Sequence, residues 1–414
     1  MLSVAEAFAR VLATARPLSA ETLPLPAATG RVLAEDLRAD RDFPPFHRVA
    51  MDGIAVAHRA WAGGQTTFPI VHTQYAGAPA QPLPGPDTAA EVMTGAVLPP
   101  GADTVIRYED LTLADGRASI RIPAPAGPGQ HVHPQAQDRR RGDLLLPAGT
   151  RLGPAEVAVA ATVGAATVAV VRAARVAVVS TGDELVEVSA MPLPHQIRRS
   201  NAYALQALLS QAGAEVFLFH LPDELPGLRT GLTNILAAGF DAVVLSGAVS
   251  KGRADHLPEL LRELGVQQIF HEVQQRPGKP MWFGEKAGGP VVFGLPGNPV
   301  STLLTAYRYV RPWLQASQLS SYYESGPAAD FGQAASGLWA PAILAADVHF
   351  KPPLTYFLPV RLEIDADGRR LAYPAPTGGS GDLAGLLGSH GFLELPPEPV
   401  HFAAGEVWPC WRFV

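Results

Sequence analysis

Between Arg172 and Pro312 three short apolar runs alternate with amphipathic stretches, and few architectures accommodate that alternation. Val176-Ala-Val-Val-Ser180, Ala242-Val-Val-Leu-Ser246 and Val291-Val-Phe-Gly294 lack the polar spacing of a strand with one wet face, so they read as strands buried on both faces. Helical patterns occupy Asn201 to Ala212, Leu225 to Ala238, His256 to Leu264 and Val300 to Leu314. Strands separated by helices cannot join as tight hairpins. This region therefore predicts a mostly parallel sheet with helices on both sides.

The flanking segments follow other periods. Val4, Phe8, Val11, Leu12 and Ala15 share a helical face, closed by Pro17, and a second helical stretch is expected over Ala28 to Leu37. Ile54 to Arg141 shows short apolar runs cut by Gly63-Gly64, Pro84-Gly85-Pro86, Pro99-Pro100-Gly101 and Asp115-Gly116, as in a β-rich insertion. Asp143 to Val171 reads as helical again. Gln315 to Gly337 is a polar linker. Leu338 to Val414 is β-like, with a hairpin signal at Asp365-Ala-Asp-Gly368 and a short helix near Gly381 to Gly388. The expected division is a helical base (1–45 and 143–173), a β-rich insertion (46–142), an α/β domain (174–314) and a small β domain (338–414).

Composition narrows the function class. With 32 Lys+Arg against 38 Asp+Glu the net charge is −6, which argues against a general nucleic-acid binder. The lone Cys410 allows no internal disulfide and no Cys-rich zinc site. Glu6 and Arg10 interrupt any signal-peptide core, and the longest uncharged stretch, the 15 residues Val157 to Val171, is too short to span a bilayer. The expectation is an intracellular protein with no membrane partner.

In an open parallel sheet, ligands bind at the carboxyl ends of the strands. After the first run comes Ser180-Thr181-Gly182-Asp183-Glu184-Leu185, whose carboxylates either hold Mg²⁺ through oxygen or face solvent as turn and capping residues. After the second, Ser246-Gly247-Ala248-Val249-Ser250-Lys251-Gly252-Arg253-Ala254-Asp255 combines small residues with Lys and Arg charge. That suits backbone capture of an oxyanion, or forms a plain glycine-rich turn; it lacks the ending of a Walker A loop. The third loop, Gly294-Leu295-Pro296-Gly297-Asn298-Pro299-Val300-Ser301, puts Asn298 at an N-cap and Pro299 at the first helical position. Upstream, Arg276-Pro277-Gly278-Lys279-Pro280 carries two cations on a stiff turn. Carboxylates with cations at strand ends suit a metal-bound phosphoester. His131-Val132-His133 has two imidazoles without a clear third ligand and reads as surface.

Taken in order, these segments resemble the bacterial molybdopterin molybdenumtransferase (MoeA) family, which is related to the carboxyl-terminal E domain of gephyrin. The resemblance runs through Met51-Asp52-Gly53, Met93-Thr94-Gly95-Ala96 with Pro100-Gly101-Ala102-Asp103, and Asp138 with Gly142. It continues through Ser180 to Leu185, Ser200-Asn201, Ser246 to Asp255, Pro277 to Pro280 and Gly294 to Ser301. It implies a multidomain α/β plus β fold: a central three-layer α/β/α molybdopterin-binding-type domain with a mostly parallel sheet, a β-rich insertion, a helical base and a small β-barrel-like carboxyl-terminal domain.

The resemblance also implies a reaction. Adenylylated molybdopterin and molybdate would yield molybdenum cofactor and AMP, with Mg²⁺, in the cytoplasm. The enzyme would be an elongated homodimer whose cleft is completed by the partner subunit. Contacts with molybdopterin adenylyltransferase and cofactor-free molybdoenzymes are further implications. By the same resemblance Asp52, Asp138, Glu184 and Asp255 would be catalytic, with Glu184 and Asp255 holding the metal. Thr94, Thr181, Gly182, Asp183, Ser246, Gly247, Ser250, Lys251, Arg276, Lys279, Pro296 and Asn298 would bind substrate or its phosphates. The chain departs from the family pattern at Ile54, Gln137, Arg199, Ala248, Lys251, Arg276, Pro359 and Ser389-His390-Gly391. These departures leave open a non-catalytic carrier or scaffold of the same fold. A nucleotidyltransferase that makes the adenylylated intermediate is a lesser alternative.

Overall fold

The apolar runs lie side by side in the computed structural model, which describes residues 1–125, 127–247, 257–319, 338–375 and 378–413. Six strands follow the order Ala214–Leu221, Ala174–Thr181, Ala242–Ser246, Val291–Leu295, Trp282–Lys286, Val266–His271. The first four are parallel, and the last two join antiparallel. Sequence reading found only three of the six, because the outer strands carry polar residues such as Glu215, Gln267 and Gln268.

Side chains alternate along each central strand, so successive residues enter different cores. Val176, Val178, Val244 and Phe293 face one core, with the helices Val4–Leu12 and Ser200–Gln211 and the run from Pro299. Ala177, Val179, Val243 and Val292 face the other, with the helices Leu225–Ala237 and Leu257–Glu263. Each such valine, fully buried, contributes roughly 1.5–3 kcal/mol. The opening helix is held by a capping box, in which Ser3 Oγ accepts from Glu6 N and the Glu6 carboxylate accepts from Ser3 N.

The chain divides into two compact units, Met1–Thr22, Gly30–Ala34 and Ala169–Val414 against Leu23–Thr29 and Glu35–Val168. The first unit also contains a closed ring of five strands, Trp339–Leu344, Val407–Arg412, Gly391–Leu395, Thr355–Ile364 and Arg370–Pro374. Closure leaves no free edge inside the barrel. The short strand Gln275–Arg276 adds to it beside Thr355–Tyr356. The helical run after Pro299 passes through a π-helical turn, Ala306–Val310, before resuming as Arg311–Leu319. Within that turn Arg308 is buried between the rings of Phe8 and Trp411, at 4.1 and 4.3 Å, and donates from Nε to Glu394 Oε2 at 2.7 Å. Trp411 Nε1 donates to the same carboxylate oxygen at 2.8 Å.

The second unit carries a sheet ordered Thr104–Arg107, Gly53–Val56, Ala89–Val92, Thr67–Gln74, Arg117–Ile120, Leu111–Ala114. Two helical expectations fail. Ala28 to Leu37 contains the end of a 3₁₀ turn, Leu25–Ala28, an antiparallel bridge from Leu33 to Val170 and the start of a strand, Leu37–Arg38, because Gly30 takes a positive φ of 79° and breaks the chain direction. Asp143 to Val171 contains one helix, Pro154–Thr162, between strands Leu144–Leu146 and Thr167–Val171, where Thr and Val favour extended backbone. Among the described residues no helix is long and apolar enough to cross a membrane.

The buried pair gives a stability test. Glu394→Gln leaves the Arg308 guanidinium without its counter-charge and is expected to lower the unfolding free energy by about 3–5 kcal/mol. Replacing both residues by Met should cost less than this single change, as read by urea unfolding; a double variant that loses more would refute the assignment.

Candidate functional site

The register of the parallel strands sets three loop starts side by side. Ser180 lies opposite Ser246, and Ser246 opposite Leu295, so Thr181-Gly182, Gly247 and Pro296 leave the sheet at one edge. Gly247 N donates to Leu295 O at 3.2 Å, and a side chain at Gly247 would lie 3.2 Å from Thr181 O. The Ser180 and Thr181 hydroxyls are buried there without a hydrogen-bond partner among the described residues. Ser250, Lys251, Arg253 and Asp255, with Ala248, lie outside those residues.

The two carboxylates after Gly182 behave differently. Asp183 and Asp223 each accept from the other's backbone N–H, at 3.3 and 3.2 Å, which ties the loop after Thr181 to the loop after Leu221. Glu184 is exposed, and its carboxylate folds over Gly182, where any side chain would collide with it. Among the described residues no group of three or more His, Cys, Asp or Glu side chains is placed to hold a metal ion.

Beside this edge opens a cavity of about 500 Å³, lined by Arg276, Lys279, Pro296, Asn298, Tyr356 and Ser380 among others. Arg276 and Lys279 are exposed to it on a turn fixed from below. Buried Gln275 donates from Nε2 to Gly278 O at 3.1 Å and accepts from the Tyr309 hydroxyl at 2.6 Å. Gly278 takes φ +90°, and a side chain there would press on Gln275. Burial raises the Tyr356 phenol above its ordinary value, opposed by Arg276.

Asn298 corrects one expectation. It stands at the N-cap position, but its side chain makes no capping bond; Nδ2 donates to Ser380 Oγ at 3.0 Å. Ser380 O in turn accepts from Val300 N, so part of the helix's positive end is already used. Ser380 escaped sequence reading, although the run Gly378-Gly379-Ser380-Gly381 is of a kind that permits close backbone approach. Asn201 holds the loop from the other side, donating to Gly297 O at 2.8 Å.

The second unit holds the other two acidic candidates. Asp52 Oδ1 accepts from Thr94 N at 2.6 Å and from Thr94 Oγ1 at 2.7 Å, so the Thr94 hydroxyl serves the carboxylate. The next residue must be glycine, since a Cβ at Gly53 would sit 2.8 Å from Arg107 Cα. Asp138 Oδ1 lies 3.0 Å from His133 Nε2.

Comparison with known proteins places matches along the chain. Residues 2–164 match the family described as "MoeA N-terminal region (domain I and II)", 177–316 "Probable molybdopterin binding domain", and 341–412 "MoeA C-terminal region (domain IV)". The molybdopterin molybdenumtransferase of Synechocystis sp. is 38% identical over 415 residues, covering 100% of both chains. That of Bacillus subtilis is 31% identical, covering 98% of this chain and 92% of its own. The crystal structure of the molybdopterin biosynthesis MoeA protein from Pyrococcus horikosii superposes with a TM-score of 0.82 at 30% identity, over 100% of this chain and 99% of that one.

The Asp52 environment gives a titration test. Hydrogen bonds from Thr94, the backbone N–H first and the hydroxyl second, hold the Asp52 carboxyl below its ordinary value. A lowered folded value stabilises the unit above the ordinary Asp range, and that contribution is lost as the pH falls through the folded value. Thr94→Val removes the hydroxyl donor, so the midpoint of Asp52 should move up towards the ordinary Asp range in a ¹³C carboxyl titration. An unchanged midpoint would refute this assignment.

Proposed function

Since the chain belongs to the molybdopterin molybdenumtransferase (MoeA) family, we propose that it transfers molybdenum from molybdate to adenylylated molybdopterin, forming molybdenum cofactor and releasing AMP. The family acts in molybdenum cofactor biosynthesis, and its members are transferases. The observation that carries the proposal is the cationic cavity of Arg276 and Lys279, which adjoins the edge where Gly182, Gly247 and Pro296 meet. Two fixed cations suit a small oxyanion or a phosphate, and the glycine at 247 leaves room for a pyrophosphate to approach the backbone.

In this reading Arg276 and Lys279 grip the anion. Thr181, Gly182 and Ser246-Gly247, with Ser250 and Lys251, cradle the phosphates. Asp183 shapes the loop, and Pro296 and Asn298 frame the cavity. Asp52 and Asp138 supply the acidic groups of the second unit, and Thr94, which donates to Asp52, stands with them on the substrate side. Mg²⁺ would be held by Glu184 and Asp255. The exposed, oxygen-only Glu184 carboxylate fits that hard cation. Bound there, the ion would neutralise charge on the phosphoanhydride. The functional form is a cytoplasmic homodimer, and mass measurement should return about twice the 43.7 kDa chain.

The test mixes the full chain with adenylylated molybdopterin, molybdate and Mg²⁺, following AMP release and activation of a cofactor-free molybdoenzyme. Both signals should appear and vanish on chelation. Glu184→Gln should slow turnover by about 10²-fold or more, and Lys279→Ala should raise KM about tenfold. Tight binding of the adenylylated pterin without AMP release would overturn the transferase reading in favour of a carrier.

A further inference from the structure

The His131-Val132-His133 segment, which reads as surface, supplies a contact that the proposed reaction has not yet used. His133 lies on the strand Val132–His133, directly opposite Arg48 in an antiparallel pair. Arg48 Nη2 is 3.3 Å from His133 Nδ1, and His133 Nε2 is 3.0 Å from Asp138 Oδ1. A guanidinium carries donors only, so Nδ1 must be the acceptor, and the ring proton belongs on Nε2, facing the carboxylate. We propose that His133, clamped by Arg48, is a positioning residue for Asp138: it ties down Oδ1 and presents the remaining oxygen to the substrate. This rests on the role given to Asp138 above.

The surroundings are built to keep that geometry. Asp138 N donates to Phe43 O at 2.9 Å, and Gln135 N donates to His47 Nδ1 at 3.3 Å. Asp42 accepts from Gln135 Nε2 and from Arg141 N, both at 3.0 Å. Arg139 turns to its neighbour's carbonyl, donating to Asp138 O, and His131 is engaged by Gln130. The His133 side chain is 26% exposed and that of Asp138 56%, so the ring is largely covered while the carboxylate stays reachable. The opposing strand, Arg48–Val49, also anchors the Thr94 loop, since Gly95 N donates to Val49 O at 2.9 Å.

The experiment uses the full chain and two readouts. His133→Ala should lower kcat for AMP release about tenfold or more with KM within about twofold. His133→Gln, whose amide can donate in place of Nε2, should recover most of the rate. Independently of turnover, ¹⁵N imidazole NMR should find Nε2 protonated and Nδ1 bare, and Asp138→Asn should move the Nε2 resonance. A normal rate for His133→Ala, no rescue by Gln, or a proton on Nδ1 overturns the proposal. A fully active Asp138→Asn instead overturns the role of Asp138, and the positioning with it, even where NMR finds the ring proton on Nε2.

Discussion

Three parallel strands buried on both faces leave a chain only one place for polar chemistry, the strand ends. Every side chain along Val176 to Val179 and Ala242 to Leu245 is out of water, so an ionised group there would be desolvated without compensation. The polar residues therefore gather where the strands stop. Parallel register then brings three loops from distant parts of the chain to one edge. Ser180, Ser246 and Leu295 are neighbours because the apolar runs before them pair residue by residue. Small residues at Gly182, Gly247 and Gly297 let the loop backbones approach, and a Cβ at Gly297 would already lie 3.6 Å from Gly247 Cα.

Two of the polar side chains buried in this unit, Gln275 and Arg308, are met by partners from distant parts of the chain. Gln275 uses both ends of its amide, and in doing so it supports the turn that carries Arg276 and Lys279. Arg308 stands in the π-helical turn, where aromatic faces and a carboxylate receive it. Removing one partner from such an arrangement leaves a desolvated group behind, which costs more than the contact itself contributes. The opening helix, the run after Pro299 and the barrel are thus joined by directional contacts as well as by apolar packing.

The carboxylates divide by what holds them. Asp183 is spent on tying its loop to the one after Leu221 through Asp223, whereas Glu184 remains in solvent beside Gly182. Asp52 is kept ionised and oriented by the two donors of Thr94. Adjacent acids in the sequence therefore have different freedom, and the difference lies in a neighbour 40 residues away. Such pre-orientation lowers the cost of arranging a charged group around a ligand.

The apolar runs and the loops after them were legible in the sequence because their signals are local: burial on both faces demands an uninterrupted apolar run, and close backbone approach demands glycine. The parallel sheet, the β-rich insertion and the cations at Arg276 and Lys279 could be read in this way. The outer strands could not, since Gln267 and Gln268 mask the apolar period at an edge. The helix expected over Ala28 to Leu37 also failed, because a helical period there competes with the backbone preference of Gly30. Ser380 taking the Asn298 side chain, Tyr309 holding Gln275 beneath the Pro277 turn and His133 against Asp138 join residues separated by 82, 34 and 5 positions. Composition and period determined which segments are strands and which loops bear charge. Only the tertiary structure decided which of these polar atoms meet, because they are brought together by spatial approach and not by a local motif such as the Ser3–Glu6 capping box.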